Sequence, residues 1–339
     1  MTQPLVSVKM ITYNHAPFVA QAIEKVLQQE TAFPFELVIG EDCSTDGTRE
    51  VVFDYQKKYP GIIKVVTSDK NVGMKKNGNR TMKACRGKYI AYCEGDDYWH
   101  RPDKLQMQVD YMESHPECGM VFADCDVYHT NSGELQRSVR YSDGYRSPLR
   151  LGIEEILGDV KLRNWPWTCT AMCRRDLVQK VVQGDPYLHQ SDTFPLGDVQ
   201  LFAELALRSE VVYIPECLAT YRVLDESASN TKDAVKHLRF WKSLCEMEMY
   251  LYYKHRLSDN IYKRAVSIWC DKSLCLAFHE RNPELAKEVM ERKRRLTWKE
   301  WIRYYGAKNT AVYYVGFMFI ALRNKMQSVG IKMPSILSP

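Results

Sequence analysis

The chain has 339 residues, 45% of them apolar and 26% charged. That length exceeds one ordinary core, and the absence of repeats and low-complexity tracts excludes disordered, collagen-like and solenoid architectures. The net charge of +5 hides an asymmetry: residues 1–231 carry 26 basic against 32 acidic side chains, net −6, and residues 232–339 carry 21 against 10, net +11. An acidic front and a basic tail suggest two tasks and a division near residue 231.

The first fifteen residues have no basic region followed by a long apolar stretch, so they do not read as a signal peptide. No run approaches the roughly 18 consecutive apolar residues of a spanning helix. The eleven cysteines are scattered without a CxxC pair. They read as reduced core residues rather than a disulfide framework or a zinc site, and the expected location is cytoplasmic.

In chain order, Val6–Ile11 reads as a buried strand. Pro17 opens a helix with Phe18, Ala22, Ile23, Val26 and Leu27 at helical spacing. Phe35–Ile39 is a second strand, running into the polar turn Glu41–Gly47, where Ser44 or Thr45 is expected to cap the next helix. A third strand at Ile62–Val66, a helix over 76–85 and a fourth strand at Tyr89–Cys93 follow. Strands alternating with helices predict an α/β fold with a mainly parallel, doubly wound sheet. Further strands are expected at Met120–Tyr128, Thr168–Cys173, Val211–Ile214 and Ala219–Val223, and a helix at Val199–Arg208. From about residue 233 the pattern is helical to the end.

Ligands of such sheets sit beyond the carboxyl ends of the strands. Thr12-Tyr13-Asn14, Glu41-Asp42 and Glu94-Gly95-Asp96-Asp97 all fall there. Gly95 lets the backbone turn tightly, and hard carboxylates suit Mg²⁺ or Mn²⁺ shared with substrate phosphates. An acidic turn capping the next helix is the plainer alternative. For Asp42 the choice lies between accepting hydrogen bonds from a ligand and forming a local turn.

Four stretches in order carry a resemblance: Ser7–Asn14, Glu41–Thr48, Asn71-Val72-Gly73 and Gly87–Asp97. Together they resemble the family 2 glycosyltransferases, inverting enzymes of the GT-A fold, over roughly residues 4–225. The resemblance implies that Thr12, Tyr13 and Asp42 meet the nucleotide base, with Asn79 nearby. It implies that Asp96 holds the ribose and that Asp97, with Asp96, binds Mn²⁺ or Mg²⁺ on the diphosphate. Glu94 stands where many members have Asp. Gly78 replaces a frequently basic residue, for which Lys75, Lys76 or Arg80 could compensate. Gly197-Asp198 resembles the acidic pair whose second member is the general base; Asp198 could equally cap its helix. Arg222, in Tyr221-Arg222, matches a family pair, but Leu224 stands where members often carry His. Trp165 and Trp167 lie where the family meets its acceptor and are as readily packing residues.

In the tail, Arg292–Arg295 precedes Trp298, Trp301, Tyr304 and Tyr305, then fourteen uncharged residues, Asn309–Leu322, closed by Arg323 and Lys325. The pattern suits a helix lying on an anionic membrane, at the inner face of the cell membrane, or one docked on its own core. Nucleic acid is not expected as a partner, since no recognised module appears. The expected activity is metal-dependent, inverting transfer from a nucleotide sugar, UDP-linked by preference, to a glycan or lipid-linked glycan acceptor in surface polysaccharide assembly. The alternatives are a sugar nucleotidyltransferase, which would want a Gly-rich basic loop that Val6–His15 lacks, and a non-catalytic membrane-binding module.

Overall fold

The computed structural model describes residues 3–140, 148–158, 165–194, 197–225, 231, 233–293, 295–316 and 318. Two compact units divide the chain, Met1–Asn230 and Thr231–Pro339. In the first, β1 (Val6–Thr12), α1 (Val19–Leu27), β2 (Phe35–Glu41), α2 (Thr48–Lys58), β3 (Ile63–Val66), α3 (Met74–Ala84) and β4 (Tyr89–Tyr92) alternate. Next come β5 (Tyr98–Trp99), α4 (Lys104–Ser114), β6 (Cys118–His129), β7 (Leu135–Gln136), β8 (Arg150–Leu151) and α5 (Ile153–Gly158). A 3-10 turn at Thr168–Thr170 leads into β9 (Met172–Arg174), α6 (Arg175–Gly184), α7 (Pro186–Gln190), α8 (Asp198–Ala206) and β10 (Glu210–Val223).

The strands form one mixed sheet in the order β3-β2-β1-β4-β9-β6-β10-β5, with β7 paired to β6 and β8 to β10. From β3 to β4 the pairing is parallel, as it is between β6 and β10. The central β1 is covered on both faces. Val6, Val8 and Met10 pack into the main core, while Ser7 on the other face donates to Glu36 at 2.6 Å. Along α1 the buried positions Val19, Ala22, Ile23 and Val26 follow the helical period.

The parallel expectation fails at β9, which runs antiparallel between β4 and β6. Of the strand expected at Thr168–Cys173, the first three residues are a 3-10 turn instead. Thr170 drives that change: its hydroxyl lies 2.8 Å from Trp167 O and 3.1 Å from both Ala123 O and Ala123 N. The two expected strands Val211–Ile214 and Ala219–Val223 are one strand, β10, with irregular register around Cys217. Helix α2 is entered through Gly47, at φ +100°, and Asp46 accepts from both the Thr48 amide and hydroxyl. Ser44 and Thr45 are engaged elsewhere, so neither caps it as expected.

The second unit is helical: α9 (Ala234–His255), α10 (Asp259–Glu280), α11 (Pro283–Arg292) and α12 (Trp298–Lys308), with residues 310–316 also helical. Its starts are written in side chains. Asp233 and Asn282 cap α9 and α11, and Thr297 with Glu300 forms a capping box on α12. Trp269, Leu274, Ala277 and Val289 form its core, with the Arg292 guanidinium 4.6 Å over the Trp269 ring. Arg294, Phe317 and residues from 319 onward, including Phe319, Ile320, Arg323 and Lys325, lie outside the described residues.

Candidate active site

The loops after β1 and β2 are laced together. Asn14, at φ +54°, has its amide on Ser44 Oγ and its side-chain oxygen on the Thr45 amide. The amides of His15 and Ala16 donate to Thr48 Oγ1 and Asp46 Oδ2. Asp42 is buried at the end of β2, and both of its oxygens are used: the amides of Val72 and Gly73 donate to them at 3.0 and 2.9 Å. Arg80 adds an ion pair at 3.2 Å and donates to Glu41 O. In this arrangement Asp42 shapes the Asn71–Gly73 loop, and Arg80 is committed to holding it. Tyr13 is exposed and Asn79 half-buried; the buried asparagine of α3 is Asn77, which donates to Gly40 O at 2.7 Å.

The turn Glu94–Asp97 crosses over Thr12. A Cβ on Gly95 would lie 2.6 Å from Thr12 Oγ1 and 3.1 Å from His15 Nδ1, so the close approach requires glycine. Asp96 keeps 17% of its side chain accessible and lies 3.7 Å from His15. Asp97 is turned the other way. Its residue is 2% exposed, and its Oδ1 accepts the Arg222 amide at 2.8 Å. Burial, with Asp96 and then Glu94, pushes the Asp97 carboxyl well above the usual range. Asp97, the residue to which the resemblance gives the metal, is thus a buried carboxylate at the base of the turn. Arg222 is buried beside it: its guanidinium donates to Asp96 O and Gln21 and lies against the rings of Phe18 and Tyr98.

Glu94 is half-buried, with Oε2 buried and without a hydrogen-bond partner among the described residues; Thr12 Oγ1 is in the same condition. Burial pushes the Glu94 carboxyl up to about 7 against the pull of Lys9, and Asp96 and Asp198 add to the rise. Lys9 is the residue that sequence reading missed, lost inside an apolar strand. Burial lowers its pKa while Glu94, Cys85 and Asp198 raise it. Its Nζ lies where a side chain on Gly78 would start, 3.4 Å from that position. A lone lysine in a strand buried on both faces was the signal available. The two other candidates for that charge are used elsewhere: Lys75 donates to Ser191 O and Phe194 O, and Lys76 pairs with Asp192.

Asp198 is the first residue of α8, half-buried, and Gly197 rather than Asp198 is the N-cap. Its Oδ2 accepts the Thr168 hydroxyl at 2.7 Å, and its Oδ1 the Val199 amide at 2.8 Å. The turn carrying Thr168 is fixed from below, where Trp99 Nε1 donates to Cys169 O and Gln108 to Thr170 O. Trp167 packs on Tyr221 at 5.1 Å, and Trp165 is half-buried with its carbonyl accepting from Arg140. Thus Thr12, Glu94, Asp96, Lys9 and Asp198 share one neighbourhood, and Asp42, Arg80, Asp97 and Arg222 build its walls.

The lining fits a hard divalent cation. It offers oxygen donors, two of them buried without partners, and an accessible carboxylate at Asp96. No three carboxylates converge there among the described residues, so such an ion would draw its other ligands from phosphate or water.

Residues 7–182 match the family model described as Glycosyl transferase family 2. Uncharacterized protein Mb1547 of Mycobacterium bovis is 30% identical over 221 residues, 64% of this chain and 58% of that protein. The chain therefore spans less than two thirds of that relative. The putative teichuronic acid biosynthesis glycosyltransferase TuaG of Bacillus subtilis is 28% identical over 232 residues, covering 68% of this chain and 83% of TuaG. In fold, the chain resembles S. aureus TarS 1–349 in complex with UDP-GlcNAc, at TM-score 0.54 and 16% identity over 89% of this chain and 79% of that one. It also resembles the mannosyltransferase PcManGT of Pyrobaculum calidifontis in complex with GDP-Man and Mn²⁺, at 0.53 and 14% over 93% and 87%. These likenesses are of fold, the GT-A arrangement of a mainly parallel sheet with flanking helices.

Proposed function

The chain belongs to glycosyl transferase family 2, and we propose that it moves a sugar from a nucleoside diphosphate sugar to an acceptor hydroxyl, with inversion at the anomeric carbon. The observation that carries this reading is Asp198, a carboxylate oriented by Thr168 and sharing its surroundings with Lys9 and Glu94. Asp198 takes the proton of the acceptor hydroxyl. That oxygen bonds to the anomeric carbon, the bond from carbon to phosphate oxygen breaks, and the nucleoside diphosphate leaves with the electron pair. Lys9 supplies positive charge beside Gly78. Asp96 is the accessible carboxylate for Mn²⁺ or Mg²⁺, and Asp97, through the Arg222 amide, holds the turn that presents it. A bound divalent ion would offset charge growing on the departing diphosphate. Asp42 shapes the loop that receives the nucleotide base. TarS and PcManGT, bound to UDP-GlcNAc and GDP-Man, support a nucleotide-sugar donor without choosing its base, and TuaG supports an acceptor in surface polysaccharide assembly.

The test is thermal unfolding of the full chain with UDP-, GDP-, TDP- and CMP-sugars, with and without Mn²⁺. A ligand that binds only the native state at a hundred times its Kd stabilises it by about 2.7 kcal/mol. One nucleotide class should raise Tm by several degrees, most strongly with Mn²⁺. No response to any of them, at any metal concentration, would remove the donor assignment.

A second reading concerns the basic unit, residues 232–339, proposed as a peripheral membrane contact on the cytoplasmic side. Helix α12 leaves Trp298 48%, Trp301 50% and Tyr305 40% exposed at spacings that share one face. Among the described residues no helix is long and apolar enough to cross a bilayer. Arg292 and Lys293 are engaged with Glu288 and Glu300, and the reading rests on the aromatic stripe. The full chain should float with anionic vesicles and persist at high salt, and a Trp298→Ser, Trp301→Ser variant should not. Flotation unchanged by those substitutions would reject the stripe.

A further inference from the structure

His100, Asp126 and Cys217, none of them assigned a role above, meet where β5, β6 and the irregular part of β10 come together. Cys217 Sγ lies 3.2 Å from Asp126 Oδ1 and 3.8 Å from His100 Nε2, and His100 Nε2 lies 4.0 Å from Asp126 Oδ2. Among the described residues this is the one group of three His, Cys, Asp or Glu donors drawn close enough to share an ion. We infer that these three side chains form a binding site for a zinc-class divalent cation.

The donor set carries the argument first. A thiol, an imidazole and a carboxylate form the mixed sulfur, nitrogen and oxygen set that selects Zn²⁺ or Co²⁺ over Mg²⁺ or Mn²⁺. Spacing carries it second. Zinc bonds of roughly 2.0–2.3 Å directed to the corners of a tetrahedron separate neighbouring ligand atoms by about 3.3–3.7 Å. The thiol-to-imidazole distance of 3.8 Å is close to that range, Asp126 reaches the thiol with one carboxylate oxygen and the imidazole with the other, and one ligand atom from each residue can be chosen with all three within 4.8 Å, so modest side-chain rotation closes the site. Third, each donor comes from a different strand or strand end, and the backbone around each is held in place. The His100 amide donates to Leu218 O, and the Ser138 amide to Asp126 Oδ1 at 2.9 Å. Cys217 is placed by the register shifts on either side of it in β10.

Access is provided as well. Asp126 is buried while His100 is exposed, which leaves the fourth corner to water. Among the described residues the competing cation is Arg137, 3.5 Å from Asp126 Oδ2 on a side chain 77% exposed, which can swing into solvent. Binding releases the Cys217 thiol proton to solvent, and thiolate, carboxylate and dication then sum to neutral. The ion would tie β5, which directly follows the Glu94–Asp97 turn, to β6 and β10.

Cobalt reads the site directly. The full chain, stripped with a chelator, is titrated with Co²⁺ in the presence of excess Mg²⁺, which occupies hard oxygen sites. One equivalent should bring up the near-ultraviolet sulfur-to-cobalt charge-transfer band and the visible bands of a four-coordinate ion, and Zn²⁺ should bleach both. Cys217→Ser should abolish the charge-transfer band. His100→Ala, at an exposed position, should keep the fold and weaken Co²⁺ binding at least tenfold. Absence of a thiolate band in the wild type, or its persistence in a folded Cys217→Ser protein, would overturn the site. Should Cys217→Ser fail to fold, unchanged Co²⁺ affinity in His100→Ala would overturn it equally.

Discussion

Thr168 makes the contact that most directly conditions the proposed chemistry. Its hydroxyl donates to Asp198 Oδ2, and its backbone sits on a turn pinned by Trp99 and Gln108. A hydrogen bond to a charged group is worth about 1.5–3 kcal/mol, equivalent to roughly 10- to 100-fold in rate if it matters only to the base. Thr168→Val should lower kcat by that factor and leave donor Kd unchanged, and Thr168→Ser should stay near wild type. Equal losses in Val and Ser variants would mean that the methyl group packs and the hydroxyl does not position. Sequence reading could propose Asp198 because Gly197-Asp198, at the start of an apolar helix, resembles the acidic pair of family 2. Thr168 was not legible, because its role depends on a contact across thirty residues and on a 3-10 turn inside an expected strand. Asp96 and Asp97 show a related limit: neighbouring residues in one turn look equivalent in sequence, yet one faces outward and the other into β10.

Helix α4 forms part of the floor of the first unit and carries an unusual cost. Lys104 is wholly buried, its ammonium 4.1 Å over the Trp99 ring and 2.8 Å from Gln108 Oε1. Burial lowers its pKa to about 7, against smaller opposite effects of Cys93 and Cys169. The folded-state pKa lies below the unfolded one near 10.4. Between those values the unfolded chain binds more protons, so this residue's contribution to stability rises with pH from about 7 to about 10 and is most unfavourable below 7. Lys104→Met keeps the volume and removes the titration. The variant's Tm relative to wild type should be highest near pH 6 and fall as pH rises through that window. Parallel Tm curves for the two proteins across pH 6–10 would contradict the buried, titrating amine. The helix follows Pro102 and was anticipated only as something the acidic turn might cap. Its buried lysine could not be read from sequence, since lysine ordinarily marks the exposed face. The alternating elements from β1 to β4 were legible because hydrophobic runs, turns and helical spacing agreed there. The antiparallel β9 was not, because strand direction is settled by pairing partners far away in sequence.

At the scale of the whole molecule, the change from acidic to basic composition coincides with the change from an α/β sheet unit to a helical one. The family assignment rests on the first unit, and the chemistry is proposed for that unit alone. Three strand-end turns and the first residue of α8 supply the groups, and each turn is held by the next: Asn14 to Ser44 and Thr45, Asp42 to the 72–73 amides, Asp97 to Arg222. Such lacing places the groups before any ligand arrives, which lowers the reorganisation that transfer would otherwise require. The measurement that bears most directly on this account compares wild type and Asp198→Asn for donor affinity and for release of nucleoside diphosphate, using the donor class that stabilises the protein. The amide keeps the shape of the side chain; its oxygen can still accept the Val199 amide while its NH2 donates to the Thr168 hydroxyl oxygen, but it cannot take the acceptor's proton. The account predicts donor Kd within a few-fold of wild type and turnover reduced by about 10²–10⁴-fold. Turnover at the wild-type rate with intact donor binding would contradict it and place the base elsewhere.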